Sequence, residues 1–295
     1  MAKPRLKKKV ITVSKLIEDY LEEKKQEGLS NKTLQNYHYS LKVLNSYFDE
    51  LPLSDLNQEQ IEHFVKWYIS ARQTTNQTKN AEYRNINAFL SHLYEKGFTR
   101  EHLKINYLKE TKKVKEIPTA KQITRIVQEP DFNDFIEAEA WLMSIFAISL
   151  GLRVSSIINI RLEHIDFKEK KLKIIHMKNK NQMVFPLSST LRKSIKTYLD
   201  YIDTDDYLFT KCNGEPLTQS LATNYCKKYY SSLGYDWLHI HCLRHYFASN
   251  WMKQNGSIFQ LSLALNHSSV SITQRYLRSL SINDFDTELE NFKPF

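Results

Sequence analysis

Four times in its first hundred residues the chain repeats apolar side chains three and four positions apart, a period that only a helix gathers onto one side. Val13, Leu16, Ile17, Tyr20 and Leu21 make the first stripe, and Gly28 ends it. Leu34, Tyr37, Leu41, Leu44 and Phe48 make the second, behind Ser30 or Asn31 as cap and ahead of Pro52 in a loop. Asn57 with Gln60 predicts a capping box for a third helix carrying Ile61, Phe64, Val65 and Tyr68. The fourth runs from about Asn76 to Lys96, with Tyr83, Ile86, Leu90 and Leu93 inward and Gly97 as its stop. Short amphipathic helices hide such stripes only against one another, so residues 13–104 predict a small all-α domain.

The rhythm then stops. Between Lys109 and Lys121 the chain reads Lys-Glu-Thr-Lys-Lys-Val-Lys-Glu-Ile-Pro-Thr, a basic linker placed at residues 105–117. From residue 118 to 295 helices mix with a few strands. Thr119 caps a helix with Ile123, Ile126 and Val127, and an apolar helix over 137–150 is halted by Gly151. Arg153 opens a further helix over 155–160. His-Ile-Asp-Phe, Leu-Lys-Ile-Ile-His-Met and Met-Val-Phe-Pro-Leu, separated by polar turns, predict a three-stranded antiparallel meander. Helices resume at about 189, 218, 241, 257 and 270. The expected fold is mainly α with a small antiparallel sheet, an all-α domain followed by an α+β domain.

What such a chain binds is constrained by charge. Lysine and arginine number 42 against 33 acidic residues, a formal charge of +9, which suits an anionic partner such as nucleic acid. Residues 1–12 carry Lys3, Arg5, Lys7, Lys8 and Lys9, a basic tail that is either solvated or laid on phosphates. The second helix starts with Lys32, Thr33 and Asn36, and the fourth with Thr78, Lys79 and Arg84. Those starts are either ordinary caps and surface or contacts to phosphates and base edges. No apolar run approaches the roughly 20 residues of a membrane span, and no signal segment opens the chain, so a cytoplasmic protein away from membranes is expected. Cys212, Cys226 and Cys242 have neither the parity of a disulfide framework nor zinc-knuckle spacing.

One stretch stands apart, His-Ile-His-Cys-Leu-Arg-His-Tyr-Phe-Ala-Ser-Asn-Trp over 239–251. On a helix His241, Arg244 and His245 share a face, while Leu243, Phe247 and Trp251 point elsewhere. Buried charges need partners, and guanidinium is shaped to fork onto a phosphate. His267 and Tyr276 follow in the next two segments. Two histidines four apart also have zinc-site spacing, but the glutamate of His-Glu-x-x-His is missing and Arg244 would repel a cation, so no metal and no cofactor is expected. Taken singly, each residue is ordinary: Arg153 a helix-end charge, Tyr276 one of 17 tyrosines, His267 a cap.

Together they resemble the tyrosine recombinase (phage integrase) family, over nearly the whole chain and most specifically over 150–276. Leu-Gly-Leu-Arg-Val-Ser at 150–155 resembles the family's first arginine motif and implies a catalytic role for Arg153. Met-Lys-Asn-Lys-Asn-Gln-Met-Val-Phe-Pro-Leu resembles its β-hairpin motif and implies Lys178, with Lys180 as the fallback and a DNA contact. His-Cys-Leu-Arg-His implies His241 and Arg244, Leu-Asn-His-Ser-Ser implies His267, and Tyr276 takes the nucleophile's place. The family pattern departs in three places: Ser156 where an acid commonly stands, Asn266 where glycine is usual, and Met177 and Asn179 flanking the lysine.

The resemblance implies a SAM-like core-binding domain and a catalytic domain clamping duplex DNA, cleaved through a covalent 3′-phosphotyrosine and exchanged through a Holliday junction. Tyrosine with a reference pKa near 10 is ionised only about once in a thousand at pH 7, a cost of roughly 4 kcal/mol, so a base helps. The family's candidate is His241. Arg153 and Arg244 would take the phosphate charge without metal or ATP, Lys178 would protonate the leaving oxygen, and His267 would position the phosphate. The implied assembly is a homotetramer on two DNA sites, associated with the nucleoid, with accessory DNA-bending or regulatory proteins as further partners. Ile282, Phe285, Leu289 and Phe292 would form a tail (about 280–295) that docks on a neighbouring subunit. The rival readings are a type IB-like topoisomerase and a non-catalytic DNA-binding relative.

Overall fold

The computed structural model describes residues 11–49, 51–110, 116–175 and 182–278. The chain divides into two units, 1–112 and 113–295.

Each of the four expected helices of the first unit begins on a side-chain cap. Helix α1 (Val13–Gln26) starts at Thr12, α2 (Asn31–Phe48) at Ser30, α3 (Gln58–Ala71) at Asn57 and α4 (Asn76–Glu95) at Thr75. In every case the cap accepts from the backbone N–H three residues on, one of the donors a helix start leaves orphaned. The stripes close on one another, with Val13, Leu41, Ile61, Phe64, Tyr83, Ile86 and Leu90 all sealed from solvent. The ring of Tyr20 sits edge-on to Tyr37 and Phe89, tying α1 to α2 and α4.

The stretch expected to open the linker is part of this unit instead. Leu103 and Ile105 are buried with its core. The backbone of 104–109 is held by amide side chains that imitate a strand partner. Asn87 accepts from Ile105 N at 2.7 Å and donates to its carbonyl at 2.8 Å. Asn80 does the same for Leu108, at 2.8 Å both ways, and Gln58 for Lys104, at 3.0 Å. A chain segment needs its backbone groups paired, and these carboxamides supply the pairing without a sheet.

The second unit is built around α6 (Phe135–Leu150), apolar on every side and buried from Ala138 through Ala147. It is preceded by α5 (Ala120–Ile126), whose Thr119 and Gln122 form a reciprocal capping box. Two polar side chains lie buried inside α6: Ser144 pairs with Tyr230 at 2.7 Å, and Glu139 accepts on Oε1 from Tyr198 at 2.7 Å and the Thr210 N–H at 3.2 Å, its buried Oε2 having no hydrogen-bond partner among the described residues. After the single turn α7 (Val154–Ile157) comes the expected meander, β1 (Ile165–Asp166), β2 (Lys171–Ile174) and β3 (Met183–Pro186), antiparallel in that order. Leu172 pairs with Phe185, and Leu172, Ile174 and Phe185 face the core. Lys178 and Lys180 fall between β2 and β3, outside the described residues, as do the basic residues 1–10 and the tail from 279.

Around α6 pack α8 (Ser189–Leu199), α9 (Gln219–Ser232) and α10 (Ile240–Lys253). The chain then ends its described part with α11 (Ile258–Ala264) and α12 (Val270–Arg278). Gly151 ends α6 in the left-handed region at φ 62°. A Cβ there would stand 2.4 Å from the Phe247 ring, so glycine lets α10 press against the loop that carries Arg153.

Candidate active site

The site gathers four separate segments of the second unit, two of them joined at one carbonyl. Leu265 closes α11, and its oxygen accepts from Arg244 at 2.9 Å and from Arg153 at 3.3 Å. Arg153 caps α7, just after the Gly151 turn, and is half-buried. Arg244 lies on the inner face of α10, 2% exposed, and also donates to the carbonyl of Gly151 at 2.5 Å. Two guanidiniums are thus brought together by neutral acceptors. Burial, and then the Arg153 charge, holds Arg244 down to about 10, and burial lowers Arg153. In both, Tyr276 is what pulls the other way. Both stay protonated at neutral pH.

His267 follows the α11 terminus, where Asn266 adopts φ 48°. Asparagine thus takes the left-handed backbone that glycine usually supplies there. His267 Nε2 lies 3.3 Å from an Arg244 nitrogen and Nδ1 lies 2.8 Å from the Thr273 hydroxyl. Guanidinium only donates, so Nε2 accepts and the ring proton sits on Nδ1, pointing at Thr273. Burial and the two arginines push His267 down to about 4, so it is neutral where Arg244 is charged.

Tyr276, on α12, is half-buried among these groups, its ring 5.7 Å from that of His267. Burial raises its phenol to about 12, while Arg244 and Arg153 both act to lower it. Its hydroxyl makes a hydrogen bond of 2.6 Å with Nδ1 of His245. His241, expected as the base, is exposed one turn earlier on α10, its ring 4.6 Å from that of His245. Arg153, His241, Arg244, His267 and Tyr276 therefore lie in one neighbourhood, and Lys178 is outside the described residues. The sequence placed His245 on one face with His241 and Arg244 but gave it no role beyond a zinc alternative. Its signal was its place on the same helix face as His241 and Arg244.

The expected DNA contacts fare unevenly. Lys32, Asn36, Thr78 and Arg84 are exposed, and Thr33 is half-buried with its hydroxyl on the Ser30 cap. Lys79 is a correction: it is 7% exposed, and its ammonium donates to the Ile69 carbonyl at 3.4 Å. Lys79 precedes Tyr83 by four and Ile86 by seven, which puts it on the inward stripe of α4. Its charge is used at the C-terminal end of α3, where helix carbonyls favour a cation.

Comparison with known proteins places this geometry. The family model described as "Phage integrase family" matches residues 117–281, and "Phage integrase SAM-like domain" matches 12–125. "Tyrosine recombinase XerC" of Staphylococcus epidermidis is 26% identical over 272 residues, covering 86% of this chain and 88% of its own. A lambda integrase tetramer bound to a Holliday junction superposes with TM-score 0.71 at 18% identity, over 90% of this chain and 77% of its own. The Tn1549 transposon integrase in complex with circular intermediate DNA gives 0.74 at 13% identity, over 96% and 100%.

Proposed function

The chain belongs to the phage integrase family of tyrosine recombinases, and from that membership we propose that it cuts and rejoins duplex DNA at specific sites, using Tyr276 as nucleophile. The observation that carries this is the meeting of four segments: Arg153 and Arg244 share the Leu265 carbonyl, His267 lies on Arg244, and the Tyr276 ring lies beside that of His267.

The Tyr276 oxygen gives up its proton, with His241 as the proposed base, attacks the scissile phosphorus, forms a 3′-phosphotyrosine and releases a 5′-hydroxyl. The ester keeps the free energy of the broken bond, so a second DNA end reseals it without ATP. Arg153 and Arg244 take the charge that grows on the nonbridging oxygens, the role otherwise given to a divalent metal. Their mutual repulsion, with neutral carbonyls as holders, is relieved when a phosphate enters. The same charge pulls the phenol down from the value that burial imposes, which lowers the cost of making it a nucleophile. His267, neutral and fixed by Thr273, orients Arg244. Lys178, with Lys180 as alternative, is proposed to protonate the leaving 5′-oxygen.

The relatives give the proposed setting. Lambda integrase is seen as a tetramer on a Holliday junction, and a tetramer on two DNA sites is proposed here, with the tail beyond residue 279 docking on a neighbour. Phe259 and Leu263, four apart and 59% and 54% exposed on α11, offer such a tail an apolar face. Lys32, Thr33, Asn36, Thr78 and Arg84 are proposed to meet DNA in the first unit.

The test is covalent capture. Tagged wild type and Tyr276→Phe are expressed in the host, the cells are stopped in denaturant, and DNA still attached to protein is sequenced. An adduct at one recurrent sequence, absent from Tyr276→Phe, is the expected outcome. Adducts scattered without a motif would point to a topoisomerase, and specific DNA recovered only under native conditions would point to a binder.

A further inference from the structure

We infer that His245 positions the nucleophile: its Nδ1 holds the Tyr276 hydroxyl at 2.6 Å and keeps the phenol against the arginine pair. This rests on the reading of Tyr276 as nucleophile given above. His245 is suited to hold another group still. It is 2% exposed, on the inner face of α10 beside Arg244, with the His241 ring edge-on at 4.6 Å and 73°. A buried ring so flanked has little freedom to turn.

Helix α12 needs such an anchor. Of its nine residues only Thr273 is fully buried, and Tyr276 and Leu277 are partly buried against the cluster of Ala248, Leu261 and Leu265. Apolar contact of that extent does not set the rotation of a short helix to within a bond length. Two polar ties do: Thr273 to His267 at 2.8 Å and Tyr276 to His245 at 2.6 Å. They are three residues apart and share one face of α12. Burial raises the phenol to about 12, so Tyr276 keeps its proton at neutral pH and has a hydrogen to offer Nδ1. The nucleophilic oxygen is then held by an imidazole and drawn by two guanidiniums.

His245 is therefore a positioning residue whose loss should slow the chemical step and leave DNA binding alone. The experiment compares wild type with His245→Ala and His245→Asn, whose amide oxygen stands near the place of Nδ1. In the free protein, tyrosines labelled with 13C at Cζ are observed by NMR, the Tyr276 resonance being the one missing from Tyr276→Phe. It should shift in His245→Ala and stay near its wild-type position in His245→Asn. A resonance unmoved in His245→Ala overturns the inference whether or not wild type cleaves DNA.

On a duplex carrying the sequence recovered by covalent capture, single-turnover cleavage should fall about 100-fold in His245→Ala, the order of loss for a displaced reactant. The DNA concentration for half-maximal rate should not change. His245→Asn should return to within about tenfold of wild type, the worth of one weaker hydrogen bond. A 5′-bridging phosphorothiolate, whose leaving group needs no acid, should leave the His245→Ala deficit in place. Rescue by that substrate, or an asparagine variant as slow as alanine with its Tyr276 resonance unmoved, would overturn a positioning role. Wild type that forms no adduct defeats the proposed function instead, and the NMR comparison still decides whether His245 holds Tyr276.

Discussion

Arg72 in the helical unit and Arg244 in the second unit both sit mostly out of water, and they are treated in opposite ways. Arg72 donates to Glu82 at 3.3 Å and to the Tyr39 hydroxyl at 2.7 Å, and lies over the rings of Tyr39 and Tyr68. Glu82 in turn accepts from Tyr68 at 2.7 Å. The Tyr39 hydrogen bond raises Arg72, with Glu82 adding to it. Arg244 has carbonyls for partners and a second arginine for a neighbour, and its affinity for a proton falls. The first arginine has its counter-charge built in, so it serves the fold. Among the described residues the second arginine has no carboxylate beside it, and a phosphodiester would supply the counter-charge.

The largest effect should come from keeping the charge at the site and losing its geometry. Arg244→Lys retains a cation but not the fork that spans Gly151, Leu265 and His267. Cleavage in the covalent assay should drop by roughly 10² to 10³, the cost of removing one transition-state donor. Activity within tenfold of wild type would mean that charge alone suffices.

Glu139 shows a third solution, a carboxyl that sheds its charge. Burial raises it to about 7 against the lowering influence of Tyr198 and the Thr210 N–H. Because the folded value lies above the ordinary one, the stability it confers is complete below pH 4.5 or so and is lost as pH rises through about 7. Between pH 5 and 8 the loss should be about 2.5 kcal/mol. Glu139→Gln should flatten that part of the profile and exceed wild type at pH 8, as read by urea denaturation at both values. A variant that follows the wild-type slope would break the assignment.

Next in size is the structural arginine. Arg72→Met strands Glu82, which is buried, and should cost about 2 kcal/mol by denaturation, below the range for a fully buried pair because Arg72 is partly solvated. Restoring balance with Glu82→Gln in the same chain should recover much of it. Loss unchanged in the double variant would place the effect in ring packing instead.

How far the sequence could be read follows from which interactions are local. The helices of the first unit were legible because cap and stripe lie within one turn of each other, as with Ser30 and Thr33 or Thr75 and Thr78. The meander and α6 were legible for the same reason. Arg153, Arg244, His267 and Tyr276 were legible only as a motif set, since nothing in their spacing says that the Leu265 carbonyl joins the two arginines or that His267 and Tyr276 lie beside them. Lys79 was misread from its place near a helix start, although its register with Tyr83 and Ile86 was there to be counted. The contact of His245 with Tyr276 joins positions 31 apart and has no local signature. Nor has the binding of 104–109 by Asn80, Asn87 and Gln58, which drew that stretch out of the expected linker.

The smallest predicted effect bears most directly on the contrast between the two arginines. Arg153→Gln removes a half-buried charge that repels Arg244, and the carboxamide can still donate toward the Leu265 carbonyl. Stability should therefore stay within about 1 kcal/mol of wild type or rise, because a charge without its partner contributes little to the fold. A loss as large as that of Arg72→Met would mean that carbonyls satisfy a guanidinium as fully as a carboxylate does, and the site would not be waiting for an anion. Sulfate against chloride at matched ionic strength separates the cases further. Exclusion from the surface stabilises both proteins alike, whereas occupancy of the arginine pair adds a term in RT ln(1 + [L]/Kd) to wild type that Arg153→Gln should largely lose.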